Sequence, residues 1–232
     1  MMKYLTLLLL ATLGLAGCNT SSSGQTTGTT EAPVFQGDED HSFAALPDAQ
    51  PGEAVATFAS GCYWCAEHVF ESLKGVRTVI SGHAGGEAPS PTYEQVGRGG
   101  TGHAETIQVY YDPKVISYAT LLKVFFVQHD PTTLNRQGPD SGDEYRSAVF
   151  YRTPEEKAET EAEIQRVNAS HRYDGPIVTQ VVPFKIFYPA EKYHQDYFVH
   201  HPESPYIQTV STPRFEHFAK EFPQLLKPGT QL

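Results

Sequence analysis

The sequence of 232 residues contains only three cysteines, Cys18, Cys62 and Cys65. Three thiols are too few for a small domain held together by disulfides or for a zinc site of four cysteines. Basic residues are also scarce, because 17 lysines and arginines stand against 27 aspartates and glutamates and leave a net charge of −10. Nonspecific nucleic-acid binding needs clusters of basic side chains, so this composition argues against it.

Apolar residues are not abundant either, at 39% of the chain, but 13 tyrosines and 13 phenylalanines supply enough bulk for a packed core. Wholesale disorder is therefore excluded. The length leaves room for one large domain or two small ones. Beyond the N-terminus, no apolar run is long enough to span a bilayer.

The first 17 residues are typical of an export signal. Lys3 precedes an apolar run from Tyr4 to Leu15, which leads into Ala16-Gly17-Cys18. Small residues directly before a cysteine resemble the lipobox of bacterial lipoproteins, which implies that Cys18 is lipidated. The resemblance implies a lipid-anchored protein of the bacterial cell envelope, on the periplasmic side of the outer membrane or, in a single-membrane host, at the cell surface. A plain secretory signal that leaves Cys18 as a free thiol is the alternative.

A polar stretch follows the predicted signal. Residues 20 to 30 are serine, threonine or glycine apart from Gln25, and residues 31 to 52 add three prolines and an acidic patch. Such a composition cannot bury apolar surface, so residues 18 to 52 are predicted to form the lipidated cysteine and a flexible tether. The folded domain is predicted to span residues 53 to 232.

The folded part alternates β-branched runs with helical patterns. Strands are predicted at residues 54–58, 76–81, 106–110, 147–151 and 177–182, and helices after Gly61, after Ser117 and after Thr153. The segments 81–102 and 137–142 are rich in glycine and proline and are predicted to be loops. Interleaved strands and helices indicate an α/β or α+β domain around one sheet.

The segment Gly61-Cys62-Tyr63-Trp64-Cys65 stands where the first strand passes into the first helix. The N–H groups and the dipole of a helix N-terminus favour thiolate, so a lowered pKa is expected for Cys62. Cys65 is within disulfide reach, and such a pair in an exported protein suggests a redox couple. A structural disulfide across so small a loop would stabilise little, and two thiolates alone do not complete a metal site.

Further blocks along the chain accompany this motif. They are Pro91-Thr92-Tyr93, Gly102-His103-Ala104-Glu105, Tyr111-Asp112-Pro113, His129-Asp130-Pro131, Gln137 to Gly142, Tyr145-Arg146-Ser147 and Tyr193 to Tyr197. With Gly61 to Trp64 and Glu67, these ordered blocks resemble the type A methionine sulfoxide reductase family from Val55 to Tyr197. The resemblance implies an α+β fold, a two-layer α/β sandwich with a mixed sheet and a ferredoxin-like core.

The resemblance also implies a reaction, the reduction of the S epimer of methionine sulfoxide, free or in proteins. Cys62 matches the family's catalytic cysteine, Glu105 its acid, and Tyr93 and Tyr145 the tyrosines that hydrogen-bond the sulfoxide oxygen. Tyr63 and Trp64 match the aromatic wall that receives the methyl group, and Asp140 matches a carboxylate that orients the pocket. The reaction leaves a sulfenic acid on the cysteine, which a second thiol condenses to a disulfide.

The sequence departs from the common family pattern at three places. Tyr63 replaces phenylalanine, and His83 stands where the family usually has tyrosine. Many members carry resolving cysteines in a C-terminal tail, but residues 202 to 232 contain none, which makes Cys65 the resolving candidate. An external dithiol reductant of the thioredoxin type would then reduce the disulfide of the enzyme. The enzyme is expected to be a monomer, and no metal or organic cofactor is implied.

Two other functions remain open at this point. One is a general thiol–disulfide oxidoreductase that uses Cys62 and Cys65, and the other is a non-catalytic envelope protein that binds methionine-rich ligands. Single residues also have structural interpretations, since Trp64 could anchor the core and Glu105 could be a charge at a strand edge. His103, His129 and His194 are predicted to be hydrogen-bonded structural histidines.

Overall fold

The computed structural model describes residues 39 to 230. The predicted signal, Cys18 and most of the predicted tether lie outside the described residues. Among residues 39 to 230, no helix is both long enough and apolar enough to cross a membrane.

The described chain forms eight strands and six α-helices. The strands are β1 (Ala54–Ser60), β2 (Val76–Ala84), β3 (Ala104–Tyr111), β4 (Arg136–Gln137), β5 (Asp140–Ser141), β6 (Ser147–Tyr151), β7 (Gln180–Pro183) and β8 (Phe187–Pro189). The helices are α1 (Tyr63–Glu71), α2 (Tyr93–Gly97), α3 (Tyr118–Gln128), α4 (Pro154–Ala169), α5 (Tyr197–His200) and α6 (Thr212–Glu221).

A six-stranded sheet of order β7-β6-β1-β3-β2-β8 forms one layer, and β4 pairs with β5 outside it. Its four central strands are antiparallel, and α1 and α3 connect them in the order β1-α1-β2-β3-α3-β6. This is the connectivity of a ferredoxin-like fold. At one edge β7 runs parallel to β6, which makes the sheet mixed. The predicted α+β sandwich with a ferredoxin-like core is therefore confirmed.

The main core lies between this sheet and the helices. Alternate residues of the central strands, such as Phe58, Ile107 and Val149, meet apolar side chains of α1, α3 and α6. Small alanines such as Ala59 and Ala104 occupy the opposite face, where Phe150 and Phe187 pack over them. Because the helices that build the core lie on one face, the domain has two layers.

Hydroxyl side chains fix the starts of several helices. Ser117 and Thr153 cap α3 and α4, as predicted, and accept hydrogen bonds from the N–H groups of Thr120 and Glu156. Thr92 also forms a capping box with Gln95 that starts α2 inside the predicted 81–102 loop. The prediction of a loop over residues 81–102 is therefore wrong at two places. Strand β2 continues to Ala84, and α2 occupies Tyr93–Gly97.

Residues 40 to 44 lie against the domain although they belong to the predicted tether. The N–H of Lys192 donates to the carbonyl of Ser42 at 2.8 Å, and the N–H of Ala44 donates to the carbonyl of Ala190 at 2.9 Å. Asp40 and Lys192 form an ion pair at 3.0 Å. The tether prediction is therefore wrong for this short stretch.

Candidate active site

The cysteine motif lies at the junction of β1 and α1. Gly61 turns the chain with φ of +81°, a left-handed conformation that other residues rarely adopt. Cys62 is the N-cap residue of α1, and Cys65 follows in its first turn. A Cβ atom at position 61 would lie 2.5 Å from Cβ of Gln137, so glycine also allows the close approach of the neighbouring loop.

Cys62 and Cys65 are free, buried thiols in hydrogen-bond contact. Burial raises the pKa of Cys62, and the contact with Cys65 and nearby carboxylates add to this shift. The expected lowering of the Cys62 pKa is therefore wrong for the resting site, because desolvation outweighs the helix dipole. For Cys65 the direction is opposite. Its pKa is lowered first by the hydrogen bond with Cys62, and then by the charge of Arg214 and the hydroxyl of Ser211.

Glu105 lies near the start of β3, and only 3% of it is exposed. Its Oε2 accepts a hydrogen bond from the backbone N–H of Tyr63 at 3.0 Å. Because the carboxyl is removed from water, its pKa is raised well above the usual value, although this hydrogen bond opposes the shift. A carboxyl whose burial favours the protonated form is thereby placed beside the first turn of α1.

Tyr93 and Tyr145 come from separate segments and meet near Glu105. Tyr93 is the first residue of α2, and its N–H donates to Oε1 of Glu191 at 3.1 Å. Tyr145 ends the 3-10 turn Asp143–Tyr145. Burial raises the pKa of both phenols, so both stay protonated and able to donate hydrogen bonds.

Aromatic rings from the C-terminal part of the domain enclose Trp64. The indole stacks on Tyr197 with ring centres 3.8 Å apart and meets Tyr206 edge-on at 5.7 Å. Its Nε1–H donates to Nδ1 of His194 at 3.1 Å. Tyr63 packs against the same histidine, with ring centres 5.2 Å apart. The two residues predicted to form the methyl wall therefore belong to one buried aromatic cluster.

Asp140 lies in β5 and is connected to this cluster. Its Oδ2 accepts a hydrogen bond from the hydroxyl of Tyr206 at 2.5 Å, and Tyr206 in turn contacts Trp64. Burial raises the pKa of Asp140, while the Tyr206 hydroxyl and the charge of Arg214 oppose that shift. A groove of about 730 Å³ is lined by Asp140 and Arg214, but Cys62 does not line it.

His83 belongs to β2 and stands opposite Glu105 in the pairing with β3. It is fully buried beside Tyr63, with ring centres 5.8 Å apart. Burial lowers the pKa of His83 to about 3, so the imidazole is neutral. Neither ring nitrogen of His83 nor the hydroxyl of Tyr63 has a hydrogen-bond partner among the described residues. The two unusual residues of the sequence are therefore neighbours in the fold.

Three further residues of the site were missed by the sequence analysis. They are Tyr206, Ser211 and Arg214. Oγ of Ser211 lies 2.8 Å from Sγ of Cys65, and Arg214 donates to the carbonyl of Ser60 at 2.7 Å. These contacts join positions about 130 or more residues apart, and no local motif marks them.

Other polar groups near the site are structural. His129 lies within hydrogen-bond distance of the Phe125 carbonyl at 2.6 Å and the Ser147 hydroxyl at 2.8 Å, as predicted for a structural histidine. Glu67 is buried and accepts a hydrogen bond from the N–H of Asp196 at 3.0 Å. Within residues 39 to 230, no group of three or more histidine, cysteine or acidic side chains is arranged to hold a metal ion.

The chain matches known proteins over most of its length. The family model for peptide methionine sulfoxide reductase matches residues 54 to 226. A peptide methionine sulfoxide reductase MsrA from Thermus thermophilus is 49% identical over 176 residues, which cover 76% of this chain and 99% of that protein. MsrA 1 from Rhodopirellula baltica is 46% identical over 178 residues, covering 77% and 92% of the two chains.

Solved structures agree with these matches. Reduced Mxr1 from Saccharomyces cerevisiae is 36% identical with a TM-score of 0.64, covering 68% of this chain and 91% of its own. Methionine sulfoxide reductase A of Corynebacterium diphtheriae is 30% identical with a TM-score of 0.61, covering 74% and 93%.

Proposed function

Because the chain belongs to the type A peptide methionine sulfoxide reductase family and reduces methionine sulfoxide, we propose that Cys62 carries out this reduction on the S epimer, free or in proteins. The observation that carries the proposal is the position of the buried Glu105, whose pKa is raised by burial, beside the helix turn that begins at Cys62. A sulfoxide needs a nucleophile at sulfur and a proton at oxygen, and these two side chains supply them.

The first half of the cycle transfers oxygen from the substrate to the enzyme. Cys62 attacks the sulfoxide sulfur while Glu105 gives a proton to the oxygen, and the proton that the Cys62 thiol loses restores Glu105. The hydroxyls of Tyr93 and Tyr145 donate hydrogen bonds to the same oxygen, and the sulfoxide methyl group lies against Trp64 and Tyr63. The S–O bond breaks, methionine leaves, and Cys62 carries the oxygen as sulfenic acid.

The second half of the cycle removes that oxygen as water. Cys65 condenses with the sulfenic acid of Cys62 to form a disulfide, and the contact between the two thiols supports this role. An external dithiol protein of the thioredoxin type then reduces the disulfide. The atoms balance, because one sulfoxide and one dithiol give methionine, water and one disulfide.

The place of this activity is proposed from the N-terminal sequence. A lipid on Cys18 would attach a monomeric enzyme to the bacterial envelope, where it would repair oxidised envelope proteins. Cys18 lies outside the described residues, so the support for this anchor is the sequence pattern around it. Mass spectrometry of the protein purified from membranes tests it, and an unmodified Cys18 would contradict it.

Turnover of the separated S and R epimers of a blocked methionine sulfoxide, with dithiothreitol as reductant, tests the proposed function. We expect turnover of the S epimer alone and its loss in Cys62→Ser. The comparisons do not favour the thiol–disulfide oxidoreductase alternative. That alternative, or a methionine-binding protein, would be revived if neither epimer were reduced.

A further inference from the structure

A π-helical segment, Ile207–Ser211, brings a hydroxyl group to Cys65. Ser211 is the last residue of the segment, it is buried, and its Oγ lies 2.8 Å from Sγ of Cys65. π-Helical turns are rare and often occur at functional sites. Here the segment places a polar group directly against the second cysteine of the motif.

A positive charge reaches the same place from α6. Arg214 donates to the carbonyl of Ser60 at 2.7 Å and also hydrogen-bonds the backbone carbonyl of Gln128. These two carbonyls fix the guanidinium beside the loop that carries the cysteines. A Cβ atom at Gly61 would lie 3.8 Å from one of its terminal nitrogens.

The surroundings of the two sulfur atoms therefore differ. Glu105 and the two site tyrosines lie near Cys62 and serve the sulfoxide step. Ser211 and Arg214 have no part in that step, yet a hydroxyl donor and a guanidinium are the groups that stabilise a thiolate. Ser211 and Arg214 therefore suit the second half of the cycle, in which the disulfide is formed and then reduced.

We propose that Ser211 and Arg214 are positioning residues that stabilise Cys65 as the leaving thiolate when a dithiol protein reopens the Cys62–Cys65 disulfide. This inference rests on the proposed resolving role of Cys65. A thiolate of the reductant attacks Sγ of Cys62, the disulfide bond breaks, and its electron pair goes to Sγ of Cys65. The second thiol of the reductant then displaces Cys62, which takes its proton, and the reductant leaves as a disulfide.

Two observations favour attack at Cys62 over attack at Cys65. In thiol–disulfide exchange the thiol with the lower pKa is the better leaving group, and the charge of Arg214 and the hydroxyl of Ser211 both act to lower the pKa of Cys65. The Ser211 hydroxyl also occupies one side of the Cys65 sulfur. An incoming thiol therefore meets Cys62 as the electrophilic sulfur.

The attacked sulfur can be identified directly. The full chain is oxidised with diamide and mixed with a thioredoxin whose second active-site cysteine is replaced by serine, and the trapped complex is mapped by peptide mass spectrometry. We expect the mixed disulfide at Cys62, with Cys65 free to be alkylated. A mixed disulfide at Cys65 would overturn the proposal.

The reduction rate tests the two positioning residues. Trp64 is the only tryptophan of the chain, so its fluorescence can follow reduction of the adjacent disulfide in a stopped-flow experiment. We expect Ser211→Ala to slow reduction about tenfold, because a hydrogen bond to a charged sulfur is lost. Arg214→Gln should also slow it, and Arg214→Lys should recover part of the rate because the charge is kept.

Thr209→Ala is the matched control, because it removes an exposed hydroxyl of the same π-helical segment that bonds the Pro205 carbonyl and not a cysteine. A wild-type reduction rate in Ser211→Ala would overturn the proposal. Since the disulfide is formed chemically, this assay does not require sulfoxide turnover. Methionine formation in a single turnover without reductant tests the proposed function separately.

Discussion

The backbone N–H of Tyr63 and the carboxyl of Glu105 are joined by a hydrogen bond of 3.0 Å across 42 positions of sequence. The bond ties the first turn of α1 to the side chain of Glu105 in β3, so it holds the acid of the proposed reaction close to the helix start that carries the nucleophile. It also makes Oε2 of Glu105 a hydrogen-bond acceptor. Proton donation and hydrogen bonding by this side chain can therefore be separated by mutation.

Glu105→Gln keeps an oxygen that can accept from the Tyr63 N–H but has no acidic proton. We expect methionine formation in a single turnover to slow by about a hundredfold or more, because general acid catalysis contributes about that much. Rapid quenching and chromatography measure the rate. Glu94→Gln, at an exposed carboxylate of α2, is the control and should react normally. A Glu105→Gln rate within fivefold of wild type would show that Glu105 is not the acid.

The order of strands and helices was predictable from sequence because local signals mark it, whereas the ferredoxin-like core and the candidate roles of the site residues came from the resemblance of the ordered motif blocks to the family. Ser117 and Thr153 are helix N-cap residues that predict the starts of α3 and α4, and the cysteine motif predicts the turn at Cys62. The aromatic and polar contacts of Tyr206, Ser211 and Arg214 were not predictable, since they depend on how the C-terminal segment packs. The prediction of a lowered pKa for Cys62 was wrong for a similar reason. The helix dipole is a local feature that the sequence shows, but the burial of Cys62, which raises its pKa, depends on the whole fold.

The pH dependence of stability is set in part by Glu71. Burial, followed by the charge of Asp196, raises the pKa of Glu71 to about 7, and its Oε1 accepts from the Val79 N–H at 3.1 Å. Between about pH 4.5 and 7 the folded chain keeps a proton that the unfolded chain has lost, so Glu71 makes stability fall as pH rises through this window.

Glu71→Gln removes this titration and keeps an acceptor for Val79. Relative to wild type, the free energy of unfolding of the variant should rise between pH 4.5 and 8, by up to about 3 kcal/mol. Urea denaturation at several pH values measures the difference. Glu161→Gln, on the exposed side of α4, is the control and should show no such trend. If the free energies of unfolding of Glu71→Gln and wild type differed by the same amount at every pH, the prediction would be contradicted.

The contacts of residues 40 to 44 predict that the domain is more stable with this stretch than without it. A fragment that begins at residue 53 lacks the two backbone hydrogen bonds to Ala190 and Lys192. Compared with a fragment that begins at residue 39, its free energy of unfolding should be lower by about 1–2 kcal/mol. Denaturant unfolding measures this, and faster hydrogen exchange at the Lys192 amide locates the loss.

Lys192→Gln in the longer fragment is the control for that comparison. It removes the exposed ion pair with Asp40 but keeps the backbone bonds, so its stability should change by less than about 0.5 kcal/mol. Equal stability of the two fragments would mean that the stretch contributes nothing to the folded domain.

Gly61→Ala tests the backbone geometry that presents Cys62. The residue has φ of +81°, and the added methyl group would lie 2.5 Å from Cβ and Cγ of Gln137. Both the strain and the clash push the turn away from its position, so we expect a loss of about 2 kcal/mol or more in stability. The rate of methionine formation in the remaining folded protein should fall as well, because the nucleophile moves relative to Glu105.

Gly97→Ala is the matched glycine substitution. No atom lies within 4 Å of the added methyl group, and Gly97 does not have a positive φ, so its stability should be equal to wild type or slightly higher. Shortening the Gln137 side chain would not rescue Gly61→Ala, because Cβ of residue 137 itself is in contact. Gly61→Ala together with Gln137→Gly removes the clash but keeps the strain, and should recover only part of the stability. Full recovery in this double variant would mean that the clash alone, and not the left-handed backbone, requires glycine before Cys62.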